Sequence, residues 1–207
     1  MAEIDIAGAI IHRSALSDDQ QAAILSDCRS IVRRAPLVRP VTRRGKTMSV
    51  QMTSAGRAGW VIDRGRYAYV GRHPETGLAW PAIPRTILEV WERFAEWPDQ
   101  PDCCLVNWYE ATARMGLHQD KDEGRFDAPV LSISLGAPAR FRIGGTERSA
   151  GTQSTVLHSG DVLIMAGDAR LAYHGIDRIL PAGLISPVAR GGRINLTLRV
   201  VAEDAIS

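Results

Sequence analysis

A histidine and an aspartate two positions apart, His118 and Asp120 in the run Leu-His-Gln-Asp at 117–120, are the residues of this sequence best suited to chemistry. On a β-strand, residues two apart leave the same face, so the pair would present an imidazole nitrogen beside a carboxylate oxygen. One further histidine would complete a 2-His-1-carboxylate face, which holds iron(II) and leaves positions open for substrate and oxygen. Short motifs also arise by chance, so an ordinary solvated turn is the alternative interpretation.

Two later segments favour the metal interpretation. His174 lies in Tyr-His-Gly at 173–175 and is the candidate third ligand. Strand alternation at 193–199 puts four polar side chains on one face and three apolar ones on the other, namely Arg193, Asn195, Thr197 and Arg199 against Ile194, Leu196 and Leu198. Two arginines that point into a barrel are costly unless they are paired. A small dicarboxylate ligand would satisfy both, and internal salt bridges to Asp or Glu are the alternative.

The elements that must position these side chains are two helices and many short strands. A capping box at Ser17 opens a helix that runs to about Arg33, and Pro84 begins a second helix over 85–97. Apolar and alternating runs predict strands at 4–12, 48–52, 67–70, 103–109, 129–135, 139–143, 155–157, 162–165, 171–174 and 193–201. Short, evenly spaced strands without intervening helices favour a β-sandwich or jelly roll, with the two helices against one face.

Length and composition narrow the class of protein. The 207 residues suit one domain, and 25 Lys plus Arg against 23 Asp plus Glu do not by themselves indicate a nucleic-acid binder. The first third is nevertheless rich in basic residues, which would form either a basic surface or a merely solvated face: Arg29, Arg33, Arg34, Arg39, Arg43, Arg44, Lys46, Arg57, Arg64, Arg66 and Arg72. Three cysteines, two of them adjacent, favour a reducing compartment. Without a membrane-length apolar run or a signal peptide, the sequence predicts a cytoplasmic protein.

Residues 41–80 are a candidate substrate-binding lid. The segment is rich in Gly, Arg and aromatic side chains and lacks helical periodicity, with Trp60, Tyr67 and Tyr69 beside basic residues. Aromatic side chains usually fill cores. Rings that stand among glycines and arginines also suit stacking on nucleic-acid bases.

Taken together, these residues resemble the AlkB family of iron(II)- and 2-oxoglutarate-dependent dioxygenases. The resemblance rests on His118-x-Asp120, on His174, and on Arg193-x-Asn195-x-Thr197-x-Arg199. Further matching motifs are Met52-Thr, Gly59-Trp60, Tyr67-Ala-Tyr69, Trp80-Pro-Ala-Ile-Pro84, Asn107-Trp-Tyr109, the run 117–123, Ser132-Ile-Ser-Leu-Gly136, His158-Ser-Gly-Asp161 and Tyr173-His-Gly175. They cover about residues 48–201, and their combination is far more specific than any one motif. Trp108 and the run 110–113 depart from the family pattern, which puts only the loop before His118 in doubt.

The resemblance implies a role for each matching residue. It makes His118, Asp120 and His174 the iron ligands. It assigns 2-oxoglutarate to Asn107, Tyr109, Arg193, Asn195, Thr197 and Arg199, with Arg193 on the distal carboxylate. It assigns the alkylated substrate to Trp60, Tyr67, Tyr69, Asp122 and Arg148. We expect Trp60 to stack on a cationic methylated base, with His174 on its other side, and Asp122 to accept from its exocyclic amine.

The resemblance also implies a fold and an activity. The expected fold is mainly β (α+β), a single domain over 1–207 with a double-stranded β-helix or jelly-roll core at about 103–201, two buttressing N-terminal helices and a lid at about 41–80. The expected reaction is oxidative demethylation of 1-methyladenine and 3-methylcytosine in DNA, a direct-reversal repair that uses Fe(II), O2 and 2-oxoglutarate and releases formaldehyde, succinate and carbon dioxide. The expected partner is alkylated single- or double-stranded DNA, with RNA left open, and the expected state is a cytoplasmic monomer without membrane contact.

Three other functions stay open at this point. An iron(II)/2-oxoglutarate hydroxylase of a small molecule or a protein side chain would share every metal and cosubstrate residue, and only the lid aromatics and Arg148 argue against it. A zinc hydrolase would use the same three ligands but gives no reason for the two arginines at 193 and 199. A cupin-like or nucleic-acid-binding protein without metal would not need the complete ligand set.

Overall fold

The computed structural model describes residues 2–42, 44–63, 65–182, 188 and 191–206. Two α-helices lie within these ranges, α1 (Asp18–Arg34) and α2 (Arg85–Phe94). The strands are β1 (Ala2–Ile6), β2 (Ala9–Arg13), β3 (Gln51–Gly56), β4 (Gly59–Asp63), β5 (Arg66–Val70), β6 (Cys103–Tyr109), β7 (Met115–His118), β8 (Val130–Gly136), β9 (Ala139–Ile143), β10 (Gln153–Leu157), β11 (Val162–Met165), β12 (His174–Ile179) and β13 (Arg193–Arg199). Arg43 and Arg64, two of the basic residues named above, lie outside the described residues.

Two antiparallel sheets form the body of the molecule. The larger sheet has the strand order β1-β2-β11-β8-β13-β6-β3, and the smaller has the order β10-β9-β12-β7. A hydrophobic cluster joins them, with Phe141 and Ile143 from the smaller sheet and Leu163 and Met165 from the larger. Strands β4 and β5 form a separate hairpin inside the predicted lid, which we call the lid hairpin. The predicted mainly β architecture of two packed sheets is confirmed.

Both helices pack against the outer face of the larger sheet, as the sequence predicts. The predicted capping box is present, because Gln20 N donates to Ser17 Oγ and Ser17 N donates to Gln20 Oε1. The buried stripe of α1 shares one hydrophobic cluster with Trp91 of α2 and with the apolar face of β13: Ile24, Leu25, Cys28, Ile31, Ile194, Leu196 and Leu198. Helix α2 ends at Phe94, before the predicted end at 97, because Glu96 takes a left-handed φ of 49°.

Several predicted strands differ from the observed ones. The run 4–12 is a hairpin and not a single strand, because Ala7 and Gly8 turn the chain with φ values of 52° and 80°. The strand expected at 171–174 begins only at His174, since a 3-10 turn occupies Gly167–Ala169. The strand expected at 48–52 lies at Gln51–Gly56, and the strand Gly59–Asp63 was not expected. Among the described residues, no helix is both long enough and apolar enough to cross a membrane.

Candidate active site

A cavity of about 440 Å³ opens between the two sheets beside the lid hairpin. Every residue that the sequence assigns to metal, cosubstrate or substrate lines this cavity, with the exception of Tyr69. The polar face of β13 points into it, as strand alternation predicts, and Phe141 and Leu157 supply part of its apolar wall. Tertiary folding therefore brings thirteen residues from distant segments to one site.

The three expected metal ligands meet at one end of this cavity. His118 and His174 are cross-strand partners in β7 and β12, and their ring centroids lie 4.4 Å apart. Asp120 Oδ1 lies 3.7 Å from His118 Nε2, and Asp120 Oδ2 lies 3.8 Å from His174 Nε2. One ligand atom from each residue lies within 4.8 Å of the others, so a single ion fits between them.

Asp120 reaches this position by a route that strand alternation does not describe. Strand β7 ends at His118, so Asp120 lies in the loop that follows and the expectation of a shared strand face is wrong. Gly175 allows β7 to approach β12 closely, because a Cβ at this position would lie 2.6 Å from the carbonyl oxygen of Met115 and 2.9 Å from that of Gly116.

Hydrogen bonds and nearby charges give the three side chains the protonation states that bind a cation. The Nδ1 atoms of His118 and His174 each lie 3.0 Å from a backbone carbonyl oxygen, that of Gly116 and that of Ala172. Donation from Nδ1 leaves Nε2 of each ring as the metal-binding atom. Burial, together with the neighbouring His118, lowers the pKa of His174 to about 4, so the His174 ring is neutral at pH 7. Burial opposes the charge on Asp120, but Arg199 and the two histidines outweigh it and hold the pKa of this carboxyl below its ordinary value.

A buried guanidinium at the other end of the cavity fits a carboxylate ligand. Arg193 is fully buried, and among the described residues its side chain donates to Ser134 Oγ at 2.7 Å and to the carbonyl oxygen of Ala137 at 3.3 Å and to no other group. Its Nε atom has no hydrogen-bond partner among the described residues, and no described carboxylate forms an ion pair with it. Because a buried charge is normally paired, this guanidinium calls for an anion from outside the chain.

The other expected cosubstrate residues line the same space. Asn107 and Asn195 are cross-strand partners in β6 and β13, and Oδ1 of Asn107 is buried without a hydrogen-bond partner among the described residues. Asn195 donates to Ser132 Oγ at 2.6 Å and accepts from Thr197 Oγ1 at 3.0 Å. Tyr109, beside them, is also buried. Of the two arginines in the set, Arg199 pairs with Asp120 and Glu123 of the chain itself, so only one of the two guanidinium groups waits for a ligand. One such cation and several polar atoms suit a small keto-diacid such as 2-oxoglutarate.

A buried ionic network behind the metal ligands was not expected. Arg199 Nη2 lies 2.8 Å from Asp120 Oδ2, and Arg199 Nε lies 3.3 Å from Glu123 Oε1. Arg170 lies 3.3 Å from Glu123 Oε2 and donates to the backbone carbonyl of Asp120 at 2.7 Å. Glu123 and Arg170 thus hold the loop that carries Asp120, which we call the ligand loop. Glu123 lies within the matching run 117–123, although no role was expected for it, and Arg170 lies in none of the matching motifs. We call Glu123, Arg170 and Arg199, with Tyr69, the ionic network.

Tyr69 belongs to this network, which corrects the expectation that it contacts the substrate. Its side chain is fully buried, and its hydroxyl donates to Glu123 Oε1 at 2.9 Å. Tyr67, two residues before it on β5, is 52% exposed. Because the two tyrosines are two residues apart on β5, strand alternation places them on one face and could not have separated them in advance.

The remaining expected substrate residues surround the mouth of the cavity. Trp60 is half-buried and stacks on Tyr67, with ring centroids 5.4 Å apart and planes inclined by 22°. Trp60 Nε1 donates to Asp122 Oδ2 at 3.1 Å, so the lid hairpin holds this carboxylate beside the ligand loop. Arg148 is exposed and donates to the carbonyl oxygen of Leu117 at 3.0 Å. Aromatic faces, a carboxylate and an exposed guanidinium thus frame the entrance.

Comparisons with known proteins identify the family of this chain. The model of the 2OG-Fe(II) oxygenase superfamily matches residues 8–199. The alpha-ketoglutarate-dependent dioxygenase AlkB homolog of Caulobacter vibrioides is 52% identical over 179 residues, which cover 86% of this chain and 81% of that protein. The DNA N(6)-methyladenine demethylase ALKBH1D of Arabidopsis thaliana is 41% identical over 108 residues, which cover 48% of this chain and 24% of that protein. The solved structure of OsALKBH1 covers 95% of this chain, and 98% of its own chain is matched, with a TM-score of 0.78 at 30% identity. The chain therefore belongs to the AlkB family of the 2OG-Fe(II) oxygenase superfamily, with the jelly-roll fold of that superfamily.

Proposed function

We propose that this protein removes alkyl groups by oxidation from N-alkylated bases of nucleic acids, with 1-methyladenine and 3-methylcytosine in DNA as substrates. The observation that carries the proposal is the Trp60–Asp122 hydrogen bond at the mouth of a cavity that ends at His118, Asp120 and His174. An aromatic face beside a carboxylate suits a flat, cationic base. Methylated bases of this kind have lost their Watson–Crick pairing and are cheap to flip out of a helix.

Each group in the cavity then has a task. His118, Asp120 and His174 hold iron(II), and Arg193 pairs with the distal carboxylate of 2-oxoglutarate, which Asn107, Tyr109, Asn195, Thr197 and Arg199 surround. When bound, iron(II) and 2-oxoglutarate supply the oxidising chemistry, and a hydroxylated N-methyl group is lost as formaldehyde.

The chain's own residues place the base. Trp60 stacks on one face of the flipped base, with Tyr67 behind the indole, and His174 lies toward the other face. Asp122 accepts from the exocyclic amine and offsets the positive charge of the base. Arg148 contacts a phosphate near the mouth. We further propose that the chain is a single domain, acts as a monomer in the cytoplasm, and takes single- or double-stranded DNA, with RNA as the next substrate to test.

The decisive experiment is anaerobic loading with iron(II) and 2-oxoglutarate, followed by oxygen and an oligonucleotide that contains 1-methyladenine. We expect formaldehyde and succinate in equal amounts, and parallel reactions with single-stranded DNA, double-stranded DNA and RNA rank the substrates. The variant Asp120→Ala should lose all turnover, whereas Asp168→Ala, an exposed residue outside the cavity, should keep it. Succinate without formaldehyde from any methylated oligonucleotide would favour a small-molecule or protein hydroxylase instead.

A further inference from the structure

The outer face of the smaller sheet carries three arginines that the active site does not use. In β9, Phe141 and Ile143 enter the core, so Arg140 and Arg142 leave the opposite face. Arg178 of β12 is the direct cross-strand partner of Arg140. We call Arg140, Arg142 and Arg178 the outer arginine cluster.

This arrangement is unfavourable for the isolated chain. Like charges that face each other across neighbouring strands destabilise a sheet. Arg142 has a counter-ion, since its Nη2 atom lies 3.1 Å from Asp177 Oδ1. Within the part of the chain that the structure describes, neither Arg140 nor Arg178 forms an ion pair with a carboxylate, and the shielded Nε atom of Arg140 has no hydrogen-bond partner. The cluster therefore holds more positive charge than its surroundings neutralise.

The cluster also adjoins the entrance of the active site. Arg142 is the cross-strand partner of Gly175, which follows the expected metal ligand on β12. Strand β7 lies on the other side of β12, and its Leu117 carbonyl accepts from Arg148 at the mouth. Arg148 thus bonds to the strand on one side of β12, and Arg140 and Arg142 lie on the strand on its other side.

We propose that the outer arginine cluster binds the phosphate backbone of the nucleic acid that flanks the lesion. This inference rests on the proposed function, because it assigns a second contact region to the same substrate. Guanidinium groups bind phosphate through paired hydrogen bonds, and a phosphate between Arg140 and Arg178 would turn their repulsion into a bridge. Arg140 and Arg142 are two residues apart on one strand, about 7 Å, so they can contact different phosphates.

Binding without turnover tests the cluster directly. The double variant Arg140→Gln and Arg178→Gln removes two charges and leaves the Arg142–Asp177 pair in place. The matched control, Arg29→Gln and Arg34→Gln, removes two charges from exposed positions of α1 beside the other sheet. Fluorescence anisotropy with an unmodified single strand of about 20 nucleotides should show a log–log salt dependence that is shallower by about 0.7 for each lost phosphate contact. The α1 variant should keep the slope of the unaltered protein.

Turnover separates flanking contacts from lesion recognition. For a methylated oligonucleotide of about 20 nucleotides, the outer-cluster variant should raise KM roughly fivefold without a change in kcat. For a methylated trinucleotide, which has only two internucleotide phosphates and no flanking strand, KM and kcat should not change. If the unaltered protein releases formaldehyde from neither substrate, the proposed function fails, whereas the anisotropy comparison still decides the role of the cluster.

A melting experiment excludes misfolding as the cause of weaker binding. Because the variant removes a cross-strand repulsion, its melting temperature should equal or exceed that of the unaltered protein. Equal salt slopes in the two proteins would overturn the proposal, as would an equal rise in KM for the trinucleotide. Tighter binding of polyglutamate than of the oligonucleotide, lost in the same variant, would also overturn the proposal. That result would assign this face to an acidic protein partner.

Discussion

Arg199 donates from Nη1 to the phenol oxygen of Tyr69 at 3.1 Å, which connects the lid hairpin to the metal site. Tyr69 lies on β5, whereas the same guanidinium lies 2.8 Å from Oδ2 of the expected iron ligand Asp120. Glu123 accepts the hydrogen bond from the phenol and completes the ionic network. One buried side chain thus joins the lid hairpin to the expected metal ligand Asp120.

Removal of this hydroxyl should loosen the lid hairpin. In the variant Tyr69→Phe, the buried groups Glu123 and Arg199 each lose a partner, so we expect the free energy of unfolding to fall by about 1–3 kcal/mol. Amide hydrogen exchange at 59–70 should become faster. The control Tyr67→Phe changes an exposed hydroxyl on the same hairpin and should leave both measurements as they are. Equal exchange rates in the two variants would show that the phenol does not tether the hairpin.

Arg193 should be dispensable for folding but required for the cosubstrate. Burial, only partly offset by Tyr109, lowers the pKa of Arg193 to about 10, so the group is still charged at pH 7. Because that charge has no described counter-ion, we expect Arg193→Met to unfold with an equal or larger free energy in the absence of ligand. The same variant should lose the rise in melting temperature that 2-oxoglutarate causes.

The control for this experiment is Arg57→Met, since Arg57 pairs with Asp102 away from the cavity. That variant should keep the response to 2-oxoglutarate. An undiminished response in Arg193→Met would mean that another cation receives the distal carboxylate.

Asp122 should select for positive charge on the substrate. The variant Asp122→Asn keeps an oxygen that can accept from Trp60 Nε1 but removes the negative charge. We therefore expect kcat/KM to fall about tenfold for cationic 1-methyladenine, and much less for neutral 1-methylguanine, since charge-assisted hydrogen bonds are about twice as strong as neutral ones. Formaldehyde release from matched oligonucleotides measures the ratio. A proportionate loss for both lesions would assign Asp122 a structural role.

The three cysteines should be unreactive in the folded protein. All three are buried, and burial raises the pKa of Cys28 to about 12 and that of Cys103 to about 11. Only the thiolate is nucleophilic, so a disulfide reagent at pH 8 should label none of these thiols in the native chain and all of them in guanidinium. Labelling of the native protein at the rate of a free thiol would contradict the buried environment.

The same thiols predict a loss of stability in alkali. In the unfolded chain they ionise near pH 9, whereas in the folded chain Cys28 and Cys103 keep their protons to about pH 12 and 11. The unfolded state therefore releases protons first, so this contribution is fully present below pH 9 and is lost as the pH rises above it. Urea unfolding between pH 8 and pH 10 measures the slope, and Cys28→Ala should make it shallower.

Local patterns in the sequence already determine much of this molecule. The capping box at Ser17 and the apolar stripe behind it define α1, because a helix start depends on residues three or four apart. The alternation in 193–199 places Arg193 and Arg199 on the face that lines the cavity, since successive side chains of a strand leave opposite faces. The candidate ligands His118, Asp120 and His174 could be picked out from the sequence by their residue types and by the family motifs that contain them, and in the structure they lie together.

Only the tertiary structure decided how these parts meet. Asp120 follows the end of β7, so its place beside His174 depends on a loop that Arg170 and Arg199 hold. Tyr69 lies in the ionic network and does not line the cavity. The opposition of Arg140 and Arg178 appears only once β9 and β12 are paired. Each of these contacts joins residues far apart in the chain, and strand order and register determine such contacts where periodicity cannot.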